Sequence, residues 1–202
     1  MKTFIKHFLN QLSKISSNLN INNIALFISI IKKCKKKKGR IFFLGVGGSA
    51  GNASHAVNDF RKIAGIEAYA PTDNISELTA RTNDEGWPKV FSEWLITSHL
   101  NNKDILIILS VGGGDIKKNI SVNLIEAIKL AKKRKSKVLS IVGKPDGYAA
   151  KNSDLSIVIP VQDKKLLTAF SEIYQAVIWH LVVSHPELKE KQTKWESVSE
   201  KK

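Results

Sequence analysis

The chain is short of acid and nearly devoid of cysteine. Among 202 residues, 18 Asp and Glu stand against 32 Lys and Arg, a formal net charge of +14. Cys34 is its one cysteine, so an intramolecular disulfide is excluded and nothing points to an oxidising compartment. No apolar run approaches the ~20 residues that cross a bilayer. The opening MKTFIKHFLNQL alternates charged and apolar residues where a signal peptide would carry an apolar core. The expected location is cytoplasmic, with no membrane partner. Gly45, Gly47 and Gly48 miss the spacing of a dinucleotide fingerprint, and no GK[ST] follows them, so both nucleotide-loop functions drop out. The positive charge gathers in IKKCKKKKGR, in AKKRKSK and in the C-terminal tail, where helices should end and cations complement the helix dipole. No aromatic-rich stacking strand or DNA-reading motif accompanies it, and no nucleic-acid partner is expected.

What remains is an apolar chain with clear periodicity. Hydrophobic residues make up 43%, enough for the core of one α/β domain spanning 1–202. Phe4, Ile5, Phe8, Leu9, Leu12 and Ile15 recur at helical spacing, as do Ile21, Ile24, Ala25, Ile28 and Ile31. These predict an N-terminal helical pair over about 3–37, ended by Gly39. Beyond it, short apolar runs at 41–46, 105–110, 138–142 and 155–161 read as strands buried on both faces, with a weaker strand at 67–70. Helical patterns at 49–64, 87–99 and 119–134 supply the crossovers, and a last helix at 167–184 is stopped by Pro186. The predicted fold is a three-layer αβα sandwich around a parallel, doubly wound sheet of about five strands. Its core runs over about 41–185, and a polar tail at 187–202 should be loosely ordered.

In such a sheet, ligands bind beyond the carboxyl ends of the strands. Two glycine-rich stretches stand there. GVGGSAG, residues 45–51, lets the backbone approach a ligand, and Ser49 can cap the following helix or bind an anion. SVGGGD, residues 110–115, repeats the arrangement, whereas VGKPDG reads mainly as a turn. His55 and Asp59 lie four apart and share a helix face, either a solvated pair or an acid/base or metal pair. Glu172, Gln175 and His180 lie on the last helix, where Glu172 and His180 have α-carbons ~12 Å apart and meet only across a bound atom. His180, beside Trp179, is either a satisfied core histidine or a reacting group. His7, His99 and His185 are assigned no role.

GGSA with His55 six residues after its serine, the strand before SVGGGD, TARTNDEGWPKVFSEWL at 79–95 and His180 near the end together resemble the sugar isomerase (SIS) domain. Within that group the pattern is similar to the phosphoheptose isomerases. The resemblance implies an aldose/ketose isomerase acting on a seven-carbon sugar phosphate, at the first step towards activated heptose for surface polysaccharide. It also implies a homotetramer with sites at subunit boundaries, and zinc in some members. Carried across, Ser49 and Ser110 bind phosphate or sugar oxygens, with Gly47, Gly48, Gly112 and Gly113 as neighbouring substrate-facing backbone. Asn83 and Asp84 match an Asn-Asp pair near the substrate, and His55 and His180 match the family histidines. Departures accompany the match: Asp59 stands for a glutamate, Glu172 for a glutamine, Val46 for an asparagine, and SVGGGD for a hydroxyl-rich phosphate loop. Asp115 would repel a phosphate, so Lys117 and Lys118 compensate, the backbone NH groups bind, or the phosphate sits differently. The expected mechanism has Asp59 and His180 sharing proton transfers through an enediol, while His55 and Glu172 position the substrate. Alternatively, His55, Asp59, Glu172 and His180 form a zinc site. Isomerisation of another sugar phosphate, and a non-catalytic sugar-phosphate-binding module, are the remaining readings.

Overall fold

The alternating apolar runs become a sheet because their side chains are wanted on both sides. In the computed structural model, which describes residues 1–199, the strands are β1 (Ile41–Leu44), β2 (Ala68–Tyr69), β3 (Ile105–Ser110), β4 (Lys137–Val142) and β5 (Leu155–Val158). All pairings are parallel, in the order β2-β1-β3-β4-β5. Phe43 faces Ile107, which in turn faces Leu139 and then Leu155 across the sheet. These side chains pack into one core layer with Phe60, Phe170, Tyr174 and Ile178. Their strand neighbours Phe42, Leu44, Leu106 and Ile108 point the other way, onto Phe91, Leu95, Leu124 and Ile128. Full burial of each such side chain contributes about 1.5–3 kcal/mol.

The helices follow from the same division. The layer on the Phe43 side is formed by α2 (Ile21–Lys36), α3 (Gly48–Lys62) and α8 (Leu167–Ser184). The opposite layer contains α5 (Val90–Thr97), α6 (Val122–Lys133) and α7 (Tyr148–Asn152). Outside the first layer, α1 (Lys2–Ser17) stacks Phe8 on Phe170 with ring centroids 4.7 Å apart, and its His7 pairs with Asp163 at 3.0 Å. Asn20 caps α2, its side-chain oxygen accepting from the Asn23 NH at 3.0 Å. The remaining helices are α4 (Ile75–Asp84) and α9 (Lys194–Ser199).

Four expectations need correction. Strands β2 and β5 lie at the sheet edges and are only partly buried, so burial on both faces holds for β1, β3 and nearly all of β4. Helix α4 lies in a stretch where no helix is expected, because it buries no residue fully and sets only Leu78 against the core. The start of the tail is docked: Leu188 is buried, the Glu190 and Lys191 NH groups donate to the Ile63 carbonyl, and Glu190 pairs with Lys35. Residues 200–202 of the expected tail lie outside the described residues. Finally, Lys164–Ser184 is long and apolar enough, by length and composition, to cross a membrane. Its apolarity serves the core instead: Phe170, Tyr174, Ile178, Trp179, Val182 and Val183 are all buried.

The topology fixes where a site can form. From β1 the chain moves to β2 on one side and then returns past β1 to β3 on the other. The loops after β1 and β3 therefore part, leaving a crevice at this switch point.

Candidate active site

The turn after β1 is built for close approach. A β-carbon on Gly45 would sit 2.3 Å from the Ser49 carbonyl oxygen, and Gly47 adopts φ +63°. Gly47 occupies the N-cap of α3, and no side chain caps the helix. Ser49 therefore does not cap; it sits buried in the first turn. One turn on come Asn52 and His55, and then Asp59.

Helix α8 packs along α3, and one amide sets their register. The Asn52 Nδ2 donates to the Glu172 carbonyl at 2.9 Å and to the Gln175 Oε1 at 3.0 Å. Two turns beyond Glu172, His180 then meets the face carrying His55 and Asp59. Its Nδ1 lies 3.5 Å from the Asp59 Oδ2, and the His55 Nε2 lies 3.9 Å from that same oxygen. The other oxygen, Oδ1, accepts from the Asn58 Nδ2 at 2.8 Å, which leaves Oδ2 to the imidazoles. One ligand atom from each of the three residues lies within 4.8 Å of the others. The carboxylate is buried while the two imidazoles are 58% and 50% exposed, so the group opens to solvent on its histidine side. Trp179 forms the wall behind it, with its ring centroid 4.7 Å from that of His55 and 3.5 Å from that of His180. Burial holds the His180 pKa below the ordinary histidine value; Asp59 opposes this shift and His55 reinforces it. The imidazole is consequently neutral near pH 7, able to accept a proton or ligate a metal.

Glu172 is placed elsewhere. Its carboxylate lies against Gly48, where an added β-carbon would come within 2.5 Å of it. Three of the four expected metal ligands converge and Glu172 is not among them. Across the switch point, the Ser110 hydroxyl accepts from the Gly113 NH at 3.0 Å, and Gly113 and Gly114 both have positive φ. Gly112 packs under Gly147, whose missing β-carbon would lie 1.9 Å from the Gly112 carbonyl oxygen. Asp115 lies at the mouth of a hairpin that follows the loop. It closes that hairpin by paired backbone bonds with Ile120, and its Oδ1 accepts from the Lys118 NH at 3.1 Å. Asn83 and Asp84 bond to each other at 2.8 Å on the exposed end of α4, with no hydrogen bond or ion pair to the histidine group. Asn52, Gln175 and Trp179 are the residues that sequence reasoning leaves without a role. The signal for Asn52 is its position three residues before His55, on the same helix face.

Fold and site together are a parallel αβα sandwich with two glycine loops at its switch point and a His–Asp–His group shared by α3 and α8. The SIS domain family matches residues 3–143. Phosphoheptose isomerase 1 of Campylobacter jejuni is 33% identical over 156 residues, covering 73% of this chain and 78% of that protein. The lincomycin biosynthesis protein LmbN of Streptomyces lincolnensis is 32% identical, covering 73% of this chain and 56% of its own. The solved phosphoheptose isomerase of Francisella tularensis superposes with a TM-score of 0.77 over 90% of this chain and 93% of that one, at 18% identity, a likeness of fold. The chain belongs to the phosphoheptose isomerase family of SIS domains.

Proposed function

We propose that this chain is an aldose–ketose isomerase that converts sedoheptulose 7-phosphate to D-glycero-D-manno-heptose 7-phosphate, for surface-polysaccharide heptose. The observation that carries the reading is the convergence of His55, Asp59 and His180 on one carboxylate oxygen. Isomerisation removes the proton beside a carbonyl, returns it to the neighbouring carbon through an enediol, and moves a second proton between the two oxygens. Asp59 and His180 share this work: the Oδ2 is left free by Asn58, and the imidazole is held neutral. His55 approaches the same Oδ2, its ring centroid 5.4 Å from that of His180, positioned to orient a sugar hydroxyl. Ser49 and the backbone of Gly47, Gly48, Ser110, Gly112 and Gly113 line the route for the rest of the substrate. Asn83, Asp84 and Glu172 contact the sugar as the substrate enters.

The donor set also suits zinc. Two imidazoles and a carboxylate make up the three protein ligands of a catalytic zinc site, and bonds of about 2.0–2.2 Å place such ligands ~3.5 Å apart. The observed separations from the Asp59 Oδ2 are 3.5 and 3.9 Å. A bound zinc ion would polarise the substrate carbonyl. Phe4, Ile5 and Leu9 of α1 are each at least half exposed, which supports a homotetramer with sites at its subunit boundaries. The chain acts as one domain in the cytoplasm.

A second reading, isomerisation of a different sugar phosphate, draws on the loop after β3, where glycines and a hairpin replace hydroxyl side chains. Product analysis against a panel of five- to seven-carbon sugar phosphates, with metal analysis of the purified protein, separates the readings. Turnover of sedoheptulose 7-phosphate ahead of the others supports the first. Preference for another sugar selects the second, and binding without turnover defeats both.

A further inference from the structure

All strands of the sheet are parallel, so the stretches that lead into them gather at one end, opposite the switch-point loops after β1 and β3. Three of these stretches are basic: 32–40 before β1, Lys103 before β3 and 132–137 before β4. Backbone bonds set them side by side. The Ile105 NH donates to the Arg40 carbonyl at 2.9 Å, and the Lys137 NH donates to the Asp104 carbonyl at 3.3 Å. Helix ends that are far apart in sequence thus become one basic face.

We propose that this face docks the protein, by charge alone, on an anionic phospholipid surface. The acids at this end are already engaged. Asp104 pairs with Arg40 at 2.8 Å, Glu187 with Lys32 at 2.6 Å, Glu190 with Lys35 at 2.7 Å, and Asp154 with Lys137. Glu67 accepts from the Tyr69 hydroxyl at 2.9 Å. Against these, the side chains of Lys33, Lys36, Lys37 and Lys38 are exposed and make no hydrogen bond or ion pair among the described residues. The same holds for Lys103 and for Lys133, Arg134 and Lys135. Clusters of roughly 4–8 such cations are what anionic headgroups attract. Helix dipoles do not account for all of them: Lys38 and Lys135 stand just past the caps of α2 and α6, beyond the last helical turn. Both are left-handed, with φ 53° and 59°, where glycine is the cheaper residue. Charge is kept there at a backbone cost. The unpaired groups are lysine except for Arg134, and no aromatic side chain lies within the three stretches to stack on bases, which favours lipid over nucleic acid. Like charge also keeps the face from packing on a second copy of itself. The contact inserts nothing into the bilayer, so it needs no spanning segment.

Vesicle flotation of the full chain tests this. The protein floats with vesicles of about 30% phosphatidylglycerol in phosphatidylcholine at about 0.1 M salt, and about 0.5 M salt releases it. Vesicles of pure phosphatidylcholine do not carry it. Lys36→Gln, Lys37→Gln and Lys38→Gln together weaken vesicle binding at least about tenfold, and so does the set Lys133→Gln, Arg134→Gln and Lys135→Gln. Both triple variants keep the wild-type melting temperature and sugar-phosphate turnover, since these side chains are exposed and lie outside the histidine group and the switch-point loops. Lys6→Gln, Lys14→Gln and Lys89→Gln remove the same charge elsewhere on the surface and leave vesicle binding near wild type. A short DNA duplex in the same buffer is the rival polyanion. Absence of binding to the anionic vesicles, with or without binding to the duplex, overturns the proposal. Equal binding to neutral vesicles, or an equal loss in the Lys6, Lys14 and Lys89 variant, overturns it as well.

Discussion

Trp179 offers a sharp test of how the site is held. Its indole is 1% exposed and touches the rings of both histidines. Two terms act when it becomes leucine. Truncating a buried tryptophan to alanine costs about 3–5 kcal/mol through lost contacts and the cavity left behind, and leucine refills part of that space. Against this, the indole Nε1 is buried without a hydrogen-bond partner, and removing such a donor returns about 1–3 kcal/mol. The net for Trp179→Leu is a loss of about 1–2 kcal/mol, which in a chain of this size lowers the melting temperature by about 2–8 °C. Activity falls further than stability, by about tenfold or more in kcat with a smaller change in KM, because both imidazoles lose the surface that orients them. Trp179→Phe keeps an aromatic wall and deletes the unpartnered donor, so it should restore most of the rate. Steady-state kinetics and thermal unfolding on the two variants decide the matter. Wild-type kcat in Trp179→Leu refutes the reasoning, and so does a phenylalanine variant as impaired as the leucine one.

Three further outcomes follow from particular contacts. Gly45→Ala drives a β-carbon to 2.3 Å from the Ser49 carbonyl oxygen, so the start of α3 must move. We expect a stability loss above about 2 kcal/mol by denaturant unfolding and loss of turnover. His180 should titrate below an ordinary histidine by NMR, and Asp59→Asn should lower it further by removing the group that opposes the shift. A histidine whose folded pKa is depressed binds protons better when unfolded. Its contribution therefore costs stability as pH falls through the ordinary value of 6.5, and an urea midpoint that rises there would contradict the assignment. Cys34, where burial and then Asp104 push the thiol up to about 12, should resist alkylation at pH 8 in the folded protein and react once unfolded.

The strands and long helices were legible wherever burial imposed a pattern. Strand β3 and helix α8 occupy the predicted spans, because one is a fully buried apolar run and the other an apolar helix ended near Pro186. Helix α4 was not legible because ISELTARTND buries no residue fully and packs only Leu78 on the core, and α7, at five residues, is too short to show a period. Within the site, the four-residue spacing placed His55 beside Asp59, a local fact. The arrival of His180 depends on Asn52 bridging α3 to α8, a contact between residues 123 positions apart that spacing cannot express. Glu172 illustrates the reverse. On its own helix it looks equivalent to His180, but the close packing allowed by Gly48 draws its carboxylate to the start of α3. Asp115 is a further case: the hairpin that ties its carboxylate to the Lys118 NH, with the Lys118 ammonium 3.9 Å away, has no signature in the sequence.

The central claim is that the Asp59 carboxylate moves protons on a sugar phosphate. Asp59→Asn keeps the side chain's size and removes its basicity, so kcat for sedoheptulose 7-phosphate should fall by about 10²–10⁴-fold while the fold persists. His180→Gln, measured alongside, should fall comparably. Wild-type turnover in the folded Asp59→Asn protein would contradict the account.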